Sequence, residues 1–76
     1  IEDKSIWLDD VSESKLIDTM QKIQNQNENI KIYSLPKLRP KKTLELGIKG
    51  KSKFVNKAMK DLKKILKELK FNWREN

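Results

Sequence analysis

Between Ser52 and Phe71 the chain runs SKFVNKAMKDLKKILKELKF, with apolar Phe54, Val55, Ala58, Met59, Leu62, Ile65, Leu66 and Leu69 at steps of one, three or four. That spacing lays one apolar stripe along a helix of 3.6 residues per turn. Lys53, Lys57, Lys60, Lys63, Lys64, Lys67 and Lys70 fall between and opposite, so the other face is a comb of ammonium groups. Ser52 is placed to cap the first turn through its hydroxyl oxygen. A helix of this length with a single stripe needs a partner surface, and residues 1–51 must supply it.

At 76 residues the chain is one small domain at most. Cysteine and histidine are both absent. Disulfides, thiolate nucleophiles, the usual zinc ligands and imidazole acid–base chemistry are therefore excluded. No apolar run exceeds a few residues, which predicts neither a membrane span nor a signal peptide and fits a cytoplasmic protein. Residue 1 is isoleucine, so the chain reads as a piece excised from the C-terminal end of a longer protein. The net charge of +7 is uneven: residues 1–30 sum to −4 and residues 31–76 to +11. Such asymmetry favours polyanions or an acidic protein surface, although lysines also keep a wet face soluble.

Residues 4–8 (KSIWL) form a short strand, with Ile6 and Leu8 on one side and Trp7 on the other. Asp9, Asp10 and Ser12 supply turn and helix-start chemistry. A first helix follows from Ser12 to about Gln24 or Asn25, burying Leu16, Ile17, Met20 and Ile23. The polar run 24–29 (QNQNEN) is its exit loop. Ile30 to Leu35 is a second strand, with Ile30 and Ile32 on one side and Lys31, Tyr33 and Leu35 on the other; Pro36 ends it. After the basic loop 36–42, Thr43 to Lys49 alternates cleanly, with Leu44, Leu46 and Ile48 inward. Gly50 permits the sharp entry to the long helix. Residues 71–75 form either a fourth edge strand or a fraying tail, and the tail, with Trp73 folded back on the core, is the preferred reading.

The expected fold is α+β, a two-layer β-α-β-β-α sandwich with a three-stranded sheet and both helices on one face. The second and third strands pair antiparallel across the basic loop. The crossover from the first strand to the second is right-handed if those strands are parallel.

Three features bear on function. Lys37, Arg39, Lys41, Lys42, Lys49, Lys51 and Lys53 form a basic group drawn from two loops, read as lying at opposite ends of the third strand, and suited to a phosphate backbone or simply to water. Trp7 and Tyr33 point onto the uncovered face of the sheet, where exposed aromatics either stack bases or anchor a protein interface. Gly47-Ile48-Lys49-Gly50 has the letters of the phosphate-clamping G-x-x-G of RNA-binding KH domains, but here it ends a strand and Ile48 is needed inside. Asp9, Asp10 and Glu13 are read as helix-capping acids rather than a metal set. No nucleophile–base pair or metal set suggests catalysis.

VSESKLIDTM (11–20) resembles the G-x-x-E-S-x-L helix start of the CinA competence/damage-inducible proteins, with Val11 where glycine is common. IKIYSLPK (30–37), TLELGIKG (43–50) and KFVNKAMKDLKKILKEL (53–69) are similar to that family's next two strands and long helix. The resemblance implies a KH-like module without catalytic residues or cofactor. It would follow an N-terminal nucleotide-handling domain of molybdopterin-binding type, its expected partner, with pyrophosphatase-type chemistry there. Packing on a second subunit, as a homodimer through the parent protein, stays open beside packing on that domain, and nucleic acid stays open as an alternative partner. KH-like names a fold and does not by itself license RNA binding.

Overall fold

The computed structural model of the chain describes residues 1–38 and 41–75. Seven segments follow in order: strand β1 (Glu2–Asp9), a 3₁₀ turn (Glu13–Lys15), helix α1 (Ile17–Gln26), strands β2 (Ile30–Lys37) and β3 (Thr43–Gly50), helix α2 (Ser52–Glu68) and strand β4 (Arg74–Glu75). The class is α+β, with two helices and a four-stranded sheet ordered β2-β3-β1-β4. Every neighbouring pair is antiparallel. β1 and β2 both oppose β3, so they run parallel to each other with β3 between them. Among the described residues no helix is long and apolar enough to cross a membrane.

Ile6, Leu8, Leu44, Leu46 and Ile48 form the inward rows of β1 and β3, joined by Ile30 of β2. They share one cluster with Leu16 and Ile23 of the first helical region and Val55, Ala58, Met59, Leu62 and Leu66 of α2. Phe71 and Trp73 pack against its margin. Burying each valine, leucine, isoleucine or methionine of that cluster contributes about 1.5–3 kcal/mol relative to leaving it exposed.

Several local expectations change. β1 starts two residues earlier than the apolar run suggests, because its whole length pairs with β3 from Glu2↔Gly50 to Asp9↔Thr43. The first helix does not start at Ser12. A 3₁₀ turn intervenes, no side chain caps α1, and Ser12 Oγ instead meets Ser14 Oγ at 3.1 Å. Ile17 is therefore not buried but 44% exposed, since it lies about 100° around from Leu16, and Thr19 takes the inward place.

The polar run 24–29 is not simply a loop. α1 continues to Gln26, and buried Asn27 donates from Nδ2 to the Ile23 carbonyl at 2.9 Å. Ser52 does not cap α2 either: Lys51 is the N-cap residue, and its carbonyl accepts from Val55 N at 2.9 Å.

Pro36 does not end β2, which continues to Lys37. Ile32 directs its amide outward to Gln24 Oε1 at 3.1 Å. The strand period of two puts Pro36 on that same outward side, where a missing N–H removes no ladder bond. The hairpin connection consequently shortens to residues 38–42.

At the other end, residues 71–75 are not a fraying tail. Phe71 N bonds the Leu66 carbonyl at 2.9 Å and Lys70 N the Lys67 carbonyl at 3.1 Å, with Lys70 at φ 64. This is a Schellman turn, and it folds the chain back so that Arg74 pairs with Trp7 and Glu75 with Ile6.

Candidate functional site

Alternation along the strands turns one sheet face away from the core cluster. Across the registers its rows are Lys31, Lys49 and Asp3; Tyr33, Gly47 and Ser5; Leu35, Glu45, Trp7 and Arg74; and Lys37, Thr43 and Asp9. Four basic and three acidic side chains therefore share this face, which is nearly balanced in charge. Leu35 remains 50% exposed within it, and Leu38, just beyond β2, is 75% exposed.

Tyr33 lies across Gly47, its direct cross-strand neighbour. A Cβ on Gly47 would sit 2.0 Å from Tyr33 Cζ, so only glycine leaves room for the ring to lie flat. The phenol then reaches over β3 and donates to Asp3 Oδ1 of β1 at 2.5 Å. Desolvation, reinforced by that carboxylate, pushes the Tyr33 pKa up from 10.0 to about 12. Trp7 is half-buried, and the Lys37 ammonium stands 4.9 Å from its ring centroid.

The seven bases singled out in sequence do not converge. Lys37, Lys41 and Lys42 lie at or beside the 38–42 connection, while Lys49, Lys51 and Lys53 lie at the far end of β3. An eight-residue strand separates the groups by about 20 Å or more. Arg39 lies outside the described residues. Lys41 comes within 3.8 Å of Asp9, and Lys53 stands 5.1 Å from the Phe54 ring centroid. Lys49 lines a shallow recess with Asp3, Lys31, Tyr33 and Leu35.

The acids at the first turn are not helix caps. Asp9 accepts a two-pronged contact from Arg74, Nη2 to Oδ1 at 2.9 Å and Nε to Oδ2 at 3.1 Å. The Arg74 hydrogen bond holds the Asp9 carboxyl below its ordinary value. Glu13 accepts a hydrogen bond from Ser34 Oγ at 2.8 Å, and Asp10 occupies the left-handed region at φ 57. Among the described residues no group of acids is arranged to hold a metal ion.

The β2 edge is met by a side chain that stands in for a strand, and β1 is flanked by the short strand β4. Gln24 accepts from Ile32 N and donates from Nε2 to the Ile30 carbonyl at 2.7 Å, so its amide imitates one residue of a neighbouring strand. On the β1 side β4 is secured by the Arg74–Asp9 pair and by Lys63 with Glu75. Asp3 and Arg74 are not legible in the sequence because their partners lie 30 and 65 positions away. Gln24 acts on residues only six and eight positions on, but a glutamine six residues before a strand has many other meanings.

The more continuous basic surface is the outer side of α2. Lys53, Lys57, Lys60, Lys64 and Lys67 are all exposed there, at intervals of four, three, four and three residues. Comparison of the chain with protein-family models, curated proteins and solved structures finds no match.

Proposed function

We propose that this chain is a KH-like accessory domain of a CinA-like nucleotide-processing protein. In this reading it performs no chemistry itself and docks the uncovered face of its sheet onto the catalytic domain of the same polypeptide. The observation that carries it is the composition of that face: Trp7 and Tyr33 laid over the strands, Leu35 half exposed beside them, and both charge signs around them. A protein interface combines aromatic anchors with a mixed polar rim in this way. A nearly neutral face has little to offer a polyanion, whose attraction grows with the number of uncompensated cations. The β-α-β-β-α order and the segment resemblances supply the choice of parent.

Acrylamide quenching of Trp7 in a Trp73→Phe background tests this, comparing the 76-residue chain with the parent protein. Docking predicts that Trp7 is quenched readily in the chain and poorly in the parent. Equal quenching in both overturns the proposal. So does protection that appears in the chain alone as its concentration rises, because a second copy would then be the occupant.

A further inference from the structure

We infer that the outer face of α2 is a separate binding surface for the phosphate backbone of nucleic acid. At about 100° per residue, Lys53, Lys57, Lys60, Lys64 and Lys67 all fall within about 40° of one line along the helix. They span fourteen residue steps, about 21 Å, over which one nucleic-acid strand presents about six phosphates. The line points away from the core, because the inward side of the same helix carries Val55, Ala58, Met59, Leu62 and Leu66. It therefore lies on the side of the molecule opposite the uncovered sheet face, and both surfaces are accessible together.

Charge compensation is sparse along the line. Lys57 pairs with Asp61 at 3.1 Å. Lys60, Lys64 and Lys67 have no acidic partner within ion-pair distance among the described residues. On one flank a recess between α2 and β1 holds Lys4 and Lys63, but both are compensated and add little to the line: Lys63 pairs with Glu75, and Lys4 stands 3.9 Å from Glu2. Lys4 is held there by Asn56 Oδ1 at 2.7 Å.

The kind of partner follows from what the line lacks. It carries no aromatic or aliphatic anchor, whereas protein interfaces draw most of their affinity from such residues. Nor does it offer an apolar face to a bilayer, since that of α2 is consumed by the core. A row of lysine point charges without guanidinium forks suits a linear polyanion contacted through phosphates, without base readout.

Fluorescence anisotropy of a labelled oligo(dT) of about 20 nucleotides, titrated with the 76-residue chain between about 25 and 200 mM salt, tests the inference. Five contacts predict a log–log salt slope of about −3.5 on single strands. The combined variant Lys60→Gln, Lys64→Gln, Lys67→Gln should lower affinity about a hundredfold near 0.1 M salt and reduce the slope to about −1.4. These are exposed helix positions where glutamine is as good a helix former as lysine, and circular dichroism verifies the fold. The matched loop variant Lys37→Gln, Lys41→Gln, Lys42→Gln should leave affinity within about threefold of the parent chain. The inference is overturned by absence of binding at low salt or by a loop variant that loses more than the helix variant. Polyglutamate bound as tightly as oligo(dT) overturns it too, since an acidic protein would then be the better partner. None of these results depends on docking of the sheet face.

Discussion

The two exposed faces of this molecule, back to back across one core, are built on opposite plans. On the uncovered sheet face the groups are tied to one another: Tyr33 to Asp3, Lys37 over Trp7, and Arg74 to Asp9. On the outer face of α2 most lysines point into water, and Lys57 alone on the central line has an acidic partner. The difference teaches that net charge alone does not say where the uncompensated charge of a basic chain lies. A balanced, ring-covered face is suited to shape recognition, and an uncompensated row to a charged polymer.

The strongest way to break the comparison is to remove what both faces share. Leu62 is fully buried between α2 and the sheet. Leu62→Ala should destabilise the fold by about 2–5 kcal/mol in urea unfolding, and both faces should be lost in a single transition. If the variant unfolded in two steps, the faces would belong to separately stable units.

A second change strikes the sheet face alone. The chain has a single tyrosine, so absorbance near 295 nm reports Tyr33 directly. Its pKa is raised in the fold from 10.0 to about 12. The neutral phenol therefore stabilises the native state fully below pH 10 and progressively less as pH rises towards 12. Gly47→Val should displace the ring and bring the titration midpoint back towards 10.0 without altering the α2 surface. A wild-type midpoint already near 10.0 would mean that the ring does not lie against the sheet as described.

The smallest expected effect concerns the turn that links the two regions. Lys70 occupies a left-handed position at φ 64, where glycine has no Cβ to crowd the following carbonyl. Lys70→Gly should raise the unfolding free energy by about 1 kcal/mol and hold β4 more firmly on β1. A loss of stability would show that the Lys70 side chain contributes more than its backbone strain costs.

How much was legible in the sequence depends on the range over which each pattern acts. The α2 stripe and the Leu44-Leu46-Ile48 alternation are local, repeat several times and point to one burial side, so both are found as expected. The same period of two separated Trp7 and Tyr33 from the inward rows. The α2 lysines were visible as a comb, yet the basic loops drew the candidate site. The strand assignment over 43–49 already sets those two loops at its opposite ends, and β3 keeps them there.

Alternation of apolar residues and the length of one amphipathic helix were enough to determine that this chain makes a small α+β domain. Strand order decided the rest. Pro36 is tolerated because β2 is an edge, Gly47 is required because a ring from the neighbouring strand lies over it, and β4 is placed by a turn at Lys70 that brings Arg74 alongside β1 and Asp9, 65 positions away. Periodicity is a property of neighbours along the chain, whereas each of these three depends on which backbone lies alongside, and that is specified only when the core closes.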